Sequence, residues 1–256
     1  MKQTLKILLL TLFVCLLCAV TLTSCDENEK APSEGLWMEH YDDIGGYMVK
    51  GISICKDTDL VIPSEFNGKP VVAIGSAAFY QNTTITSVTI PASVKEIRSS
   101  AFAYCENLTK LEIANGLEKI EEVAFLECKK LASITLPDSI KSIERMAFRD
   151  TAYHHNENNR HYGVLYIGKH LIEANYNLTT CQIKDGTLTI ADCAFFNHQK
   201  LTSVTIPQSV TSVGKKAFTG CTSLETIYCQ AASQPAGWHS EWNDGITDSA
   251  EIIWNS

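Results

Sequence analysis

Between Ile85 and Asn107 the apolar positions fall at Ile85, Val88, Ile90, Val94, Ile97, Ala101 and Phe102, and polar residues fill most of the gaps. The same spacing returns at Leu108, Leu111, Ile113, Leu117, Ile120 and Phe125. It returns again at Leu131, Ile134, Leu136, Ile140, Ile143 and Phe148, and at Leu201, Val204, Ile206, Val210, Val213 and Phe218. Phe79, Phe102, Phe125 and Phe148 each follow an alanine at steps of 23 residues. Phe195 and Phe218 are also 23 apart, and 47 residues separate the two sets. A fixed step in this range predicts stacked coils rather than one closed globule. Val88 and Ile90 flank Thr89, and Leu111 and Ile113 flank Glu112. That is strand alternation with one face inward. Pro91, Pro137 and Pro207 follow directly and end the ladder, because proline has no N–H to donate. A second apolar pair follows, and the Ala-Phe segment then returns the chain as a short helical or 3-10 turn. Each unit buries about six apolar side chains, on the order of 10 kcal/mol gross. One coil does not offset its own ordering entropy, whereas a stack does.

Two stretches depart from the step. The first unit is longer, and Glu65 to Val72 around Asn67-Gly68 reads as a small hairpin. Between Phe148 and Ile183 a polar run, Tyr153 to His161, precedes Val164–Ile167 and His170–Ala174, which flank Gly168-Lys169 as a second hairpin. The excess is close to one repeat, so residues 151–182 read as a degenerate coil that keeps the stack in phase. All four tryptophans lie outside the repeats. Trp37 falls in a predicted hairpin cap over 36–57, and Trp238, Trp242 and Trp254 fall in an irregular cap over 230–256 that ends in a strand at Glu251–Trp254. Large aromatics at these places read as plugs for the open ends of the core.

With its recurring isoleucine–proline, Ala-Phe and Phe-x-x-Cys positions, the chain from about Leu60 to Cys229 resembles the BspA-type leucine-rich-repeat family. The resemblance implies a β-rich solenoid over 58–229, curved, with a parallel sheet on one side.

The amino terminus carries an address. Lys2 and Lys6 precede an apolar run from Ile7 to Val20, too short to span a bilayer and of the length of a signal-peptide core. Leu22-Thr23-Ser24-Cys25 resembles a bacterial lipobox. This implies a signal peptide over 1–24, a lipidated Cys25 and a tether over 25–35. Acidic Asp26-Glu27 is similar to the export signals of some surface lipoproteins. The expectation is therefore a lipid-anchored protein of the bacterial outer membrane or cell surface. Without its first 24 residues the chain carries 19 basic and 29 acidic side chains, net −10. This argues against a nucleic-acid partner and against a polybasic membrane patch. Seven of ten cysteines follow Cys25. Cys105, Cys128 and Cys221 each stand three residues after a repeat phenylalanine, which suits a small buried thiol. Cys15 and Cys18 fall in the expected signal peptide, and among the seven cysteines after Cys25 there is no C-x-x-C pair to hold zinc or run redox chemistry.

No catalytic motif is present: G-x-S-x-G, H-E-x-x-H and a phosphate-binding glycine loop are all missing. The chain reads as a non-enzyme with no cofactor. His154, His155 and His161 share the insert with Glu157, but the stretch reads as a solvated polar loop, and no metal ligand is assigned. The strand face offers two outward ladders as the candidate binding face. One is Ser87, Lys110, Ser133, Ser203 and Thr226, and the other is Thr89, Glu112, Thr135, Thr205 and Tyr228. Proteins of the resembled family contact host matrix proteins and neighbouring cells. That implies a protein-binding or adhesion module, the alternative being a glycan-binding lipoprotein of a polysaccharide-uptake system. The glycan alternative requires exposed Trp238 and Trp242.

Overall fold

In a computed structural model, which describes residues 31–255, the repeats close into coils that carry two rows of parallel strands. The first row joins β3 (Asp59–Val61), β6 (Ser87–Ile90), β8 (Lys110–Ile113) and β10 (Ser133–Ile134). The second joins β2 (Gly46–Ile52), β5 (Lys69–Ile74), β7 (Glu96–Ile97), β9 (Lys119–Ile120) and β11 (Ser142–Ile143). The register follows the repeat, with Val88 opposite Leu111, Ile90 opposite Ile113, and Ile97 opposite Ile120. The alternation in the sequence therefore puts every aliphatic side chain over its counterpart in the next coil. Phe79, Phe102, Phe125 and Phe148 form a central column with ring centroids 4.9, 5.2 and 5.3 Å apart, all buried. This is close to the spacing of neighbouring strands, so each ring lies flat on the next without stretching the ladders.

The return segment is neither α nor 3-10 helix. It runs as consecutive turns in which the residues two before and two after each phenylalanine take left-handed φ: Ala77 and Gln81, Ser100 and Tyr104, Val123 and Glu127, Met146 and Asp150, Cys193 and Asn197, Lys216 and Gly220. Only one of these is glycine, so each coil accepts a local cost that a side chain bearing Cβ normally avoids. What offsets it is a third set of bonds between coils. The amides of Ala77, Phe79 and Gln81 donate to the carbonyls of Ser99, Ala101 and Ala103 (2.9, 2.7 and 2.9 Å), and the same three bonds recur at Ser100, Phe102 and Tyr104. Every second amide points to the next coil while those between, Ala78, Tyr80 and Asn82, donate three residues back within the turn, and that lets a turn bond to the next coil as a strand would. Among the described residues, helix is confined to the insert.

The hairpins predicted at Asn67-Gly68 and at the amino terminus are present. β4 (Glu65–Phe66) pairs with Lys69–Pro70 of β5, and β1 (Leu36–Tyr41) runs antiparallel to β2. The expected tether is tied down by Ser33. Its N–H donates to the carbonyl of Val61 (2.9 Å) and its hydroxyl accepts from the Val61 N–H (3.0 Å). The expected signal peptide and Cys25 lie outside the described residues.

The insert corrects the expectation of a stack kept in phase. β13 (Val164–Ile167) and β14 (His170–Ala174) form the predicted hairpin, with β12 (Arg160–His161) antiparallel on the outer side of β13, but neither β13 nor β14 pairs with β11. Instead β14 begins a new ladder with β16 (Thr189–Ile190) and β18 (Ser212–Val213). β15 (Thr180–Gln182) begins another with β17 (Ser203–Ile206), β19 (Thr226–Cys229) and β20 (Glu251–Trp254). β13 and β14 thus do for the second stack what β1 and β2 do for the first: an antiparallel hairpin whose second strand is the first parallel rung. Val164 and Tyr166 fill the end of the second core, where no Ala-Phe segment is available.

The second stack lies across the end of the first. Lys169 pairs with Asp138, and His170 Nε2 reaches the carbonyl of Pro137 (3.1 Å). The Asp192 amide donates to the carbonyl of Ile143 (2.9 Å), and the Ser212 hydroxyl donates to that of Lys141 (2.6 Å). Three successive coils of the second stack therefore touch one coil of the first, which coaxial stacking forbids. His170 and Thr189 point outward from their own sheet yet are buried, because the first stack covers them. Ile167 and Ala191 belong to the first core. The second column, Phe195 on Phe218 at 5.0 Å, ends on Trp242, which meets Phe218 edge-on at 5.9 Å. Trp238 and Trp242 are both buried and Trp254 is half-buried, as the plug reading requires, whereas Trp37 is a correction to it: its place on β1 leaves the side chain 55% exposed.

Candidate functional site

The strand face is built by the outward positions of the first row. Ser87, Lys110 and Ser133 stand in register, with Asp59 one rung before them. Thr89 and Glu112 form the neighbouring line, which Thr135 continues just past β10. These side chains are half-buried to exposed. They also bond to one another. The Ser87 hydroxyl donates to Asp59 (2.7 Å), the Thr89 hydroxyl donates to Glu112 (3.3 Å), and Lys110 pairs with Glu112 (2.5 Å). The structure does not unite all ten predicted residues. Ser203, Thr205, Thr226 and Tyr228 line up with each other in the second stack, between Thr180-Gln182 on one side and Glu251-Ile253 on the other. The break at the insert therefore divides the face into two patches. The flanking rungs Asp59, Val61, Thr180, Gln182, Glu251 and Ile253 extend the two patches beyond the predicted ten; the first four stand on coils that run on to Ala78-Phe79 and Ala194-Phe195, and only Glu251 and Ile253 stand on a strand without that marker. Tyr228 and Ile253 are both exposed and directly opposite one another.

The expected solvated loop at 153–161 is partly ordered. Thr151 caps a single helical turn, α1 (Ala152–His155), its side chain accepting from the His154 N–H (3.0 Å). A threonine ahead of Ala-Tyr-His-His is the signal a sequence reading could have used. The turn sends His154 inward, where its Nε2 meets Glu173 Oε1 at 2.8 Å, and leaves His155 exposed with Nε2 3.3 Å from Asp150 Oδ1. Arg160 also bonds Glu173 (2.9 Å). Burial alone raises the Glu173 pKa, but the hydrogen bonds and charge of His154 and Arg160 outweigh it and hold the carboxyl down at about 2. His161 lies apart, exposed against Tyr162. An open groove of about 510 Å³, lined by Glu127, Lys129, Asp150 and His155, runs beside α1. All seven cysteines among the described residues are free. Cys105, Cys128 and Cys221 donate their thiols to the carbonyls of Phe79, Phe102 and Phe195, each at 3.1 Å, one coil back. Burial pushes Cys105 and Cys181 up to about 12, far from a reactive thiolate.

The BspA-type leucine-rich-repeat region matches this chain in six copies, over residues 55–158 and 165–237. The chain belongs to that family. The short unmatched segment, 159–164, falls where one stack gives way to the next. A leucine-rich-repeat protein of T. pallidum is 22% identical with a TM-score of 0.50, over 87% of this chain and 100% of that one; the likeness is one of fold. A leucine-rich-repeat protein from Bacteroides ovatus is 21% identical with a TM-score of 0.43, over 89% of this chain and 78% of that one. One from Bacteroides capillosus is 31% identical with a TM-score of 0.44, over 49% and 94%. No curated protein matches. As a BspA-type solenoid the chain presents faces and ladders; solenoids of this kind serve recognition along an extended surface.

Proposed function

We propose that this BspA-type protein is a lipid-anchored, non-catalytic binding module displayed at the bacterial cell surface, and that its partner is a protein of the host matrix or of a neighbouring cell. The observation that carries the reading is the in-register strand face around Ser87, Thr89, Lys110 and Glu112. Parallel ladders between β6 and β8 hold the backbone beneath it, and its small hydroxylated side chains let an extended partner lie close. The lipobox pattern ending at Cys25 supports attachment, since acyl chains bury about 0.8 kcal/mol per CH₂ and several together hold durably. The glycan alternative loses its platform, because Trp238 and Trp242 are buried.

The test has two arms. Cells expressing the chain should incorporate labelled palmitate and lose the protein to external protease; Cys25→Ala should abolish the label. Purified chain captured on immobilised matrix proteins should lose binding at least tenfold in Thr89→Arg, with Lys95→Glu, on a different side of the coil, as the control. Equal binding by Thr89→Arg and wild type would remove the strand face from the reading.

A further inference from the structure

Asp150, His154 and His155 are the one group of three metal-ligating residues among the described residues whose ligand atoms all lie within 4.8 Å of one another. Three elements bring them there: the left-handed turn after Phe148 sets Asp150, Thr151 caps the chain, and α1 turns both imidazoles. A second observation points to a ligand. His154 is buried, at 7% exposure, and its Nδ1 has no hydrogen-bond partner. A buried polar atom left without a partner costs about 1–3 kcal/mol. The other ring nitrogen explains which form the ring takes. Nε2 lies 2.8 Å from Glu173 Oε1, so in the neutral ring Nε2–H donates to that carboxylate and the lone pair falls on Nδ1. That carboxylate–histidine pairing is the arrangement that orients and strengthens a metal-binding imidazole.

We propose that Asp150, His154 and His155 bind a divalent cation of the zinc class, with Glu173 as the positioning residue that holds His154 in its ligating tautomer. The separation of 3.3 Å between His155 Nε2 and Asp150 Oδ1 matches the edge of a tetrahedron with bonds of about 2.0 Å. The choice of metal follows from the donors. Arg149 lies 3.9 Å from Asp150, and Lys129 shares the groove with Glu127, so the site has little net negative charge. Attraction then comes from two imidazole lone pairs, which favour zinc, copper or nickel over calcium or magnesium. The fourth position faces the open groove, where Glu127 or water completes the shell. Bound there, the ion pins the first turn of the insert to the last coil of the first stack.

The test is zinc titration of the purified full chain against a chromophoric chelator, after alkylation of accessible thiols to silence cysteine. One zinc per chain is expected, with calcium not competing. His155→Ala and Asp150→Asn change exposed or half-exposed side chains and should leave the apo melting temperature unchanged, yet weaken zinc at least tenfold. Glu173→Gln should weaken it by about 10–100-fold. No stoichiometric zinc after alkylation, or affinity unchanged in both His155→Ala and Asp150→Asn, overturns the assignment.

Discussion

At the residue scale the repeat is a set of small, position-specific tasks. The phenylalanine fills the column, the alanine before it makes room, and the cysteine three places on satisfies a carbonyl of the coil behind. The alternation of apolar and polar residues made the inward set readable, including all six phenylalanines. The left-handed positions were not readable. Ala77, Ser100, Val123, Met146, Cys193 and Lys216 share no side-chain property, and the bond that rewards their conformation is made by backbone to another coil. The thiols give a direct check. Cys55 and Cys193 are half-buried, whereas Cys105, Cys128, Cys181, Cys221 and Cys229 are buried. Mass mapping after brief native alkylation should find the first two modified and the other five untouched until denaturant is added. Modification of Cys105 or Cys128 at the native rate would contradict the packed column.

At the element scale, strand existence and hairpins followed from alternation and from Asn67-Gly68 and Gly168-Lys169. The meaning of the second hairpin did not. Its residues look like a worn repeat because a leading hairpin and a degenerate coil have the same length and the same apolar content. Only pairing separates them, and pairing is long-range. The candidate site suffered in the same way. His154 and His155 lie in a polar run, and one capped turn decides that the first goes inside. The central column should dominate stability. Phe125→Ala empties a fully buried ring position between Phe102 and Phe148, and should cost about 3–5 kcal/mol in denaturant unfolding. A loss under about 1 kcal/mol would mean the neighbouring rings collapse into the gap.

At the scale of the whole repeat region, two stacks meet in a buried polar joint, which no periodicity in the sequence could reveal. His170 is central to it. Its Nε2–H donates to the Pro137 carbonyl, which only accepts (3.1 Å), and in the neutral ring Nδ1 accepts from the Thr189 hydroxyl (2.9 Å). Burial pulls its pKa below the ordinary value, although Pro137 and Asp138 resist. A folded-state pKa below the unfolded one means that the unfolded chain takes up the proton first. The contribution of His170 to stability is therefore complete above about pH 6.5 and falls as pH drops below it. Urea midpoints should decline between pH 7 and 5, and His170→Gln should flatten that slope. The three tryptophans of the last cap report the second stack, so coincident fluorescence and far-ultraviolet transitions would show both stacks unfolding together through this joint.

The joint's hydrogen bonds to backbone carbonyls fall on the last coil of the first stack, at Pro137–Ile143, with Arg149 of the same coil facing Glu173, and each stack has its own starting hairpin. Whole coils can therefore be gained or lost upstream without disturbing the elbow: the arm would change its reach while the forearm kept its angle. Copy number in the first half is a free variable for recombination, and one face can be re-spaced against the other by steps of about 4.8 Å.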